Sequence, residues 1–432
     1  MIAKELRKQI VDLVQREVVP AIGCTEPIAV ALCVARAKEI LGTMPESIKV
    51  KLSGNMLKNA MGVGIPGTGM AGLPIAIALG ALVGKSTYKL EVLRDVTPHS
   101  VEQGKAYIDE KRIEVSLKEG ECDKLYIEVT VQAHEDTATT IIAGDHTRFV
   151  YESRNNHVLL DERQTSEKTD KENNSNPNLC LRTVYEFATT APLEEIEFIN
   201  EARKLNEAAS HQALLGNYGH GLGKTLSRPL GRGIMGESMF SHILSATSSA
   251  CDARMAGALI PVMSNSGSGN QGIAATMPVV VFAEENHNTE EELTRALMLS
   301  HLTAIYIKQS LGKLSALCGC VVASTGSSCG ITYLMGGSYE QVTYSVKNMI
   351  ANLAGMVCDG AKPSCALKVS SGVSTAVLSA MLAIQNKHVS SVEGLIEEDV
   401  DKSILNMTRI GSDGMNETDR MVLDIMTHKE NI

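Results

Sequence analysis

The sequence contains no tryptophan, and aromatic residues make up only 3% of its 432 residues. Its hydrophobic core therefore has to be built from aliphatic, methionine and small side chains, and the chain has 19 methionines and 36 glycines. Small side chains let helices approach closely, and methionine fills irregular gaps. With 44% hydrophobic residues, the chain can bury a substantial core. The composition predicts a globular, helix-rich protein and suggests helix contacts within a homo-oligomer.

Long hydrophobic runs and a positive net charge are also lacking. The longest apolar run covers residues 70–83 and contains Gly72, Pro74 and Gly80, so it is too short to span a bilayer. The formal net charge of −10 disfavours nucleic acid and anionic membranes as partners. Residues 1–8 are charged and lack the apolar segment of a signal peptide. We therefore expect a cytoplasmic protein that binds neither nucleic acid nor a membrane.

A C-x-x-C motif is absent, although the chain has ten cysteines. Its absence argues against the spacings of ferredoxins and zinc ribbons. In a protein that is not exported, cysteines serve metal binding or catalysis more often than disulfides. The cysteines are therefore the first candidates for the chemistry of this chain.

Hydrophobic periodicity divides the chain into helical and mixed regions. Residues 2–17, 25–42 and 183–432 have mainly helical patterns, and residues 55–82 form a further helical stretch. Alternating patterns predict strands at residues 48–52, 88–92, 112–117, 125–131 and 146–151. Residues 161–179 are polar throughout, a composition that cannot bury enough surface to become ordered.

These patterns predict an α+β fold with a discontinuous, mainly helical domain. That domain comprises residues 1–44 plus 183–432. An α+β domain of residues 45–160 is inserted in it, and residues 161–182 form a mobile linker.

Two glycine-rich strings resemble nucleotide-binding motifs without meeting their requirements. Residues 62–67 match G-x-G-x-x-G, but a helical pattern precedes them and Pro66 lies in the turn. Residues 219–225 resemble a Walker A loop, but Tyr218 stands where the motif needs glycine. Lys224 in that loop lacks an identifiable partner for a pyridoxal cofactor. The sequence therefore does not predict nucleotide binding.

Cys24 lies in the string Gly-Cys-Thr-Glu-Pro, at the start of a predicted helix. Thr25 is a good N-cap, and Glu26 and Pro27 suit the first helical turn. Free N–H groups and the helix dipole stabilise an anion at such a position. We therefore expect the pKa of the Cys24 thiol to be lowered. The alternative is a buried cysteine that only fills space.

Five further cysteines lie in the second half of the chain: Cys318, Cys320, Cys329, Cys358 and Cys365. Glycine and proline make residues 358–365 a loop, and two thiols across such a loop can share a metal centre with a third from a neighbouring helix. A structural zinc site of Cys318, Cys320, Cys358 and Cys365 is an alternative, although two cysteines two residues apart ligate one ion awkwardly. Buried thiols without a metal are the other.

A polar loop at residues 263–273 precedes an apolar helical pattern. Its backbone amides and side chains can point several donors at one carboxylate or phosphate. The candidate ligand-binding residues are Asn265, Ser266, Gly267, Ser268 and Asn270. An ordinary helix-capping loop is the alternative. Upstream, Asp252 and Arg254 form a charge pair suited to a salt bridge or a substrate clamp.

These strings, together with residues 66–70 and 315–318, resemble the L-cysteine desulfidase family. That family is related to the catalytic α domain of iron–sulfur L-serine dehydratases. The resemblance implies a [4Fe–4S] cluster held by Cys318, Cys358 and Cys365, with Cys24 as the catalytic base. His146 lies in a string that departs from the family's Gly-His-Thr, because Asp145 precedes it. The α+β insert is similar to the small domain of the serine dehydratases.

The resemblance implies an enzyme that eliminates the thiol of L-cysteine to give pyruvate, ammonia and hydrogen sulfide. Its partner would be a small amino acid substrate. Dehydration of L-serine by the same mechanism is an alternative. A protein that binds a metal and senses cysteine without turning it over is another.

Overall fold

The computed structural model describes residues 2–163, 176–312 and 314–429. In the first part of the chain, the helices are α1 Lys4–Glu17, α2 Thr25–Leu41, α3 Gly54–Ala60, α4 Leu73–Leu82 and α5 Pro98–Asp109. The strands are β1 Pro20–Ile22, β2 Ser47–Leu52, β3 Ile113–Leu117, β4 Tyr126–Ala133, β5 Asp136–Ala143, β6 Phe149–Arg154, β7 His157–Asp161 and β8 Pro261–Met263.

In the rest of the described chain, the regular elements are helices apart from β8. The helices are α6 Leu181–Thr190, α7 Leu193–Ile196, α8 Asn200–Leu215, α9 Leu222–Ser227, α10 Pro229–Met235, α11 Met239–Met255, α12 Gly269–Glu285, α13 Glu290–Leu311, α14 Gly319–Leu334, α15 Tyr339–Leu353, α16 Cys365–Ile384, α17 Val400–Arg409 and α18 Asn416–Thr427. Helices and a mixed sheet thus occur in one chain, which confirms the predicted α+β fold class.

The main sheet has six strands among the described residues, in the order β3-β2-β4-β5-β6-β7. Only β2 and β3 run parallel, and the other neighbours are antiparallel. In β2, Ile48, Val50 and Leu52 are buried while Lys49 and Lys51 are exposed. This alternation leaves one face of the sheet for a hydrophobic core.

Helix α2 packs on that core, with α4, β4 and β5 as neighbours. This packing differs from the expectation that residues 25–42 belong with the C-terminal helices. Residues 27–35 of α2 are all buried, because the helix is apolar on every side. Such a helix needs cover all round, and the sheet and α4 provide much of it.

Several predicted elements of the insert differ from the structure. Residues 88–92 are not a strand, since Ser86–Glu91 forms a 3₁₀ helix with an irregular Lys89. The strand predicted at 146–151 begins only at Phe149, because the Asp145 carboxylate accepts from the Thr147 amide and forms a turn. The helical stretch at 55–82 is interrupted between α3 and α4 by a glycine-rich loop. Strands β5 and β7 were not predicted.

The predicted linker at 161–182 is described only in part. Residues 164–175 lie outside the described residues, and α6 starts at Leu181, two residues before the predicted helical region.

Helix α14 lies at the centre of the second half of the chain, between α12, α13 and α16. Its small residues allow this close packing. A Cβ atom on Gly326 would lie 2.2 Å from the Ser300 carbonyl oxygen of α13. Nearly the whole of α14 is buried, and its first residue lies beside the candidate site.

Among the described residues, one helix is long and apolar enough to cross a membrane by length and composition, namely α16. Half of its apolar window is buried. It packs on α11, α14 and α15. A core helix of a water-soluble protein has the same properties, so this helix is weak evidence for a membrane span.

Candidate active site

Four of the predicted functional cysteines line one cavity of about 110 Å³. Cys24 comes from the start of α2, Cys318 and Cys365 from the starts of α14 and α16, and Cys358 from the loop before α16. More than 290 residues separate Cys24 from the nearest of the other three in the chain. The fold therefore brings together residues that the sequence could group only by resemblance.

A short sheet and a glycine with a positive φ fix the position of Cys24. Strand β1 pairs with β8, and Gly23 then turns the chain with a φ of +72°. A Cβ atom at Gly23 would lie 2.4 Å from Pro66, so glycine is needed here. Cys24 itself is the N-cap of α2, and the Thr25 hydroxyl donates to the Gly267 carbonyl at 3.2 Å.

The Cys24 thiol is protonated, contrary to the expectation of a lowered pKa. The residue is 3% exposed, and its Sγ donates to Glu26 Oε2 at 2.9 Å. Burial raises the pKa of Cys24 well above its usual value, and the Glu26 charge raises it further. The nearby Arg254 acts in the opposite direction. Desolvation and a carboxylate thus outweigh the helix N-terminus at this position.

The segment that carries Cys318 is hydrogen-bonded to the segment that carries Cys358. The Cys318 amide donates to the Met356 carbonyl at 2.9 Å, and the Cys358 amide donates to the Ala316 carbonyl at 2.7 Å. The thiols of Cys318 and Cys365 have raised pKa values, mainly because both are buried. Charge on the neighbouring cysteines would raise these pKa values further. An uncompensated set of thiolates is therefore unfavourable in this cavity.

The remaining cysteines of the second half are arranged differently. Cys320 also lines the cavity, but its Sγ donates to the Lys368 carbonyl at 3.1 Å, and burial raises its pKa to about 12. Cys329 is fully buried within α14, outside the cavity. Across the described ranges, no three or more His, Cys, Asp or Glu side chains are placed to hold one metal ion. Among the described residues, neither the four-cysteine zinc arrangement nor a three-cysteine site for a single ion is thus formed.

Three cations line the same cavity: Arg254, Lys308 and Lys368. Lys308 is 7% exposed, and burial lowers its pKa to about 8. Lys368 donates to the Val357 carbonyl at 2.7 Å and forms an ion pair with Asp359. Although burial opposes it, hydrogen bonds from Lys362 and Lys368 lower the pKa of Asp359 to about 2. Three basic side chains and the acid Glu26 thus line the cavity together with its thiols.

The polar loop contributes only part of the predicted set. Gly267, Ser268 and Asn270 line the cavity. Asn265 does not, because it is fully buried and its Nδ2 donates to the His301 carbonyl at 3.1 Å. The Ser266 hydroxyl donates to Asn265 Oδ1 at 2.9 Å. Asn265 and Ser266 therefore brace the loop and leave the cavity wall to their neighbours.

A wider cavity of about 870 Å³ adjoins the first one and shares Glu26, Gly267, Ser268 and Gln271 with it. Residues of the α+β insert, including His146 and Arg148, form its other wall. We call this larger cavity the vestibule. The vestibule and the cavity lined by Cys24 therefore share part of one wall.

Sequence reasoning did not single out Glu26, Gln271 or Lys308 as site residues. Glu26 could have been found, since an acid two residues after a candidate base is within hydrogen-bonding reach. Lys308 gives no such signal, because a lysine near the end of a long helix is usually exposed.

Comparison with known proteins gives a consistent family. Residues 87–424 match the family described as serine dehydratase alpha chain. Cys318, Cys358 and Cys365 fall inside this range, and Cys24 precedes it.

Full-length relatives are also similar. A UPF0597 protein of Bacteroides fragilis is 70% identical, with 98% of each chain covered. One from Phocaeicola vulgatus is 69% identical over the whole of both chains, and one from Oleidesulfovibrio alaskensis is 47% identical over 97% of this chain and 98% of its own. On these matches, the chain belongs to the serine dehydratase alpha chain family.

Proposed function

We propose that this protein is a carbon–sulfur lyase that converts L-cysteine to pyruvate, ammonia and hydrogen sulfide. The observation that carries the proposal is the meeting of Cys24, Cys318, Cys358 and Cys365 at one buried cavity. Among the described residues, one of these thiols has a carboxylate partner at hydrogen-bonding distance, and the other three do not. This division suits one cysteine for proton transfer and three for a metal cluster.

The residues present fit a [4Fe–4S] cluster. Cys318, Cys358 and Cys365 would hold it, and the positive charges of Lys308 and Lys368 beside them would offset the charge of thiolates and cluster. A cluster with three thiolate ligands leaves one iron open and, when bound, supplies a Lewis acid for the leaving group.

Cys24 and Glu26 would supply the base. The Cys24 proton lies in a hydrogen bond to Glu26 Oε2, so its transfer to the carboxylate leaves a thiolate at Sγ and a carboxylic acid at Glu26. The thiolate then takes the α-proton of the substrate. Because burial and Glu26 both raise the pKa of Cys24, the thiolate is a strong base once formed.

Loss of the α-proton and of the β-thiol from L-cysteine forms aminoacrylate and hydrogen sulfide. Addition of water to the tautomeric imine then releases ammonia and pyruvate. No oxidant or reductant is consumed, so the elimination balances with one water molecule per turnover.

The base is tested with Cys24→Ala in protein reconstituted without oxygen. We expect the cluster absorbance and the iron content to remain, and pyruvate and sulfide formation to fall by about 100-fold or more. Near-normal turnover in this variant would show that Cys24 is not the base.

The cluster ligands are tested with Cys358→Ala. We expect the variant to lose the roughly four irons that a cubane carries. Cys122→Ala, which removes an exposed thiol far from the cavity in sequence, is the matched control and should retain them. One zinc per chain and no turnover in the wild-type protein would instead support a metal-binding sensor.

Dehydration of L-serine is the second candidate, because the family matched by the chain is the serine dehydratase alpha chain. The same residues would remove the α-proton, and water would leave in place of hydrogen sulfide. Comparison of kcat/KM for the two amino acids distinguishes them, and a higher value for L-serine would reverse our assignment.

A further inference from the structure

We infer that the cavity is a binding site for an amino acid zwitterion, in which Arg254 binds the α-carboxylate and the amide oxygens of Asn270 and Gln271 bind the α-ammonium. This inference rests on the proposed function for the reaction, and it adds the residues that select the substrate class.

Arg254 is a buried cation in the wall of the cavity. Arg254 is only 4% exposed and lines the cavity, and its Nε has no hydrogen-bond partner among the residues that the structure describes. A buried guanidinium N–H group without an acceptor is unfavourable. A bound carboxylate would remove this cost through paired N–H···O bonds.

The nearby acid does not serve Arg254. Asp252 Oδ2 accepts from the Gly223 amide at 3.1 Å, at the start of α9. Because Asp252 Oδ1 and Arg254 Nε both lack a hydrogen-bond partner among the described residues, the charge pair expected from the sequence does not use these two atoms.

The polar loop makes room for the guanidinium. Gly269 lies directly beneath it, since a Cβ atom there would lie 2.2 Å from Arg254 Nε. Gly269 is also the first residue of α12, a helix of 17 residues. Free backbone amides and the helix dipole therefore act on the same small volume as Arg254.

Two amide side chains beside Arg254 carry unused acceptors. The Oδ1 atom of Asn270 and the Oε1 atom of Gln271 are buried and have no hydrogen-bond partner within the described part of the chain. Both residues line the cavity, and Gln271 also lines the vestibule. Acceptors suit an ammonium group, and they would not suit a second carboxylate.

Two thiol compounds separate the halves of the site: 3-mercaptopropionate carries the carboxylate without the ammonium, and cysteamine carries the ammonium without the carboxylate. Their equilibrium binding to the cluster-loaded protein is measured by anaerobic calorimetry. We expect Arg254→Gln to weaken the binding of 3-mercaptopropionate by about 10- to 100-fold and the binding of cysteamine by less than about 3-fold. Gln271→Met should weaken cysteamine by about 5- to 10-fold and leave 3-mercaptopropionate within about 3-fold.

Lys308→Gln is the matched control, because it removes another buried cation of the same cavity. It should affect 3-mercaptopropionate less than Arg254→Gln does. Equal losses in the two variants, or equal losses of both compounds in Arg254→Gln, would overturn the inference. Arg254→Lys keeps the charge and should recover part of the affinity.

Failure of this inference is distinguishable from failure of the proposed function. If Arg254→Gln leaves 3-mercaptopropionate binding unchanged while the wild-type protein forms pyruvate from L-cysteine, only the inference fails. If binding depends on Arg254 but no pyruvate forms, the zwitterion site stands and the lyase assignment fails.

Discussion

Cys24 and Glu26 form a hydrogen-bonded pair of a thiol and a carboxylate. The thiol is buried and protonated, and its partner carboxylate is the acceptor in a 2.9 Å hydrogen bond. The helix N-terminus that the sequence offered as the activating feature is outweighed by desolvation. In the proposed mechanism, activation of this thiol therefore depends on Glu26.

Glu26→Gln tests that dependence. The amide cannot take the Cys24 proton, so we expect kcat to fall by about 100-fold with unchanged iron content. Glu39→Gln, near the other end of α2, is the control and should stay within about 2-fold of the wild-type kcat. Steady-state kinetics on reconstituted protein measures both, and equal effects of the two changes would contradict the pairing.

His301 predicts a loss of stability in acid. It is fully buried, with Nδ1 3.1 Å from Asn265 Nδ2 and Nε2 2.9 Å from Thr276 Oγ1, and burial lowers its pKa to about 3. A depressed pKa stabilises the fold above pH 6.5, and this stabilisation is lost as the pH falls towards 3. We expect about 2 kcal/mol less stability at pH 5 than at pH 7 from this group.

Urea unfolding of the wild-type protein and of His301→Gln at pH 7, 6 and 5 measures this effect. The variant should be less stable at pH 7 and should show a smaller decline towards pH 5. The same decline in both proteins would assign the acid sensitivity to other groups.

At the scale of elements, the segment from Met356 to Cys365 is held by α3 and α18. The Lys58 ammonium of α3 donates to the Cys358 carbonyl at 3.3 Å and also pairs with Asp419 of α18. Gly360 turns the segment with a φ of +89°, and its Cβ position lies 2.1 Å from the Lys58 carbonyl oxygen. The cysteine loop therefore depends on contacts with the α+β part of the chain.

Gly360→Ala should displace this loop. The positive φ and the contact with Lys58 both penalise a side chain, so we expect iron content after reconstitution to fall by half or more, with a cost of about 1–3 kcal/mol in stability. Gly355→Ala is the matched control, because a Cβ atom there meets nothing within 4 Å. Iron retention by Gly360→Ala equal to that of the control would contradict this account of the loop.

The elements also show what the sequence could predict. Alternation in residues 48–52 and 125–131 predicted β2 and β4 because one face of each strand is buried. The same pattern failed at residues 88–92, where the chain forms a 3₁₀ helix and the backbone turns at Lys89. The cysteine set came from a resemblance, whereas burial of Lys308 and Arg254 depends on long-range packing that periodicity does not encode.

At the scale of the whole molecule, buried thiols lie in the two larger hydrophobic cores. Cys33 lies in the core under the sheet and Cys329 in the helical core, and burial raises the pKa of each to about 12. Burial raises the pKa of these thiols only in the folded state. Their contribution to stability is therefore fully present below about pH 9 and is lost as the pH rises towards 12.

We therefore expect the free energy of unfolding of the cluster-free protein to fall between pH 8 and pH 10.5, by up to about 1.4 kcal/mol per pH unit for each buried thiol. The melting temperature should fall with it. Cys33→Ala should flatten this decline, and Cys122→Ala, which removes an exposed thiol, should not. Thermal unfolding across the pH range measures the effect, and parallel curves for all three proteins would contradict it.

The ladder between β1 and β8 has a consequence for how the protein is made. Pro20 pairs with Met263, about 240 residues further along the chain, and the loop of Cys24 begins directly after β1. During synthesis the N-terminal segment must wait for most of the polypeptide before this ladder can close, and the last cysteine of the cavity emerges later still. The cavity can therefore assemble only late in synthesis. A ribosome-bound chain that ends before residue 261 lacks β8 and cannot form this ladder.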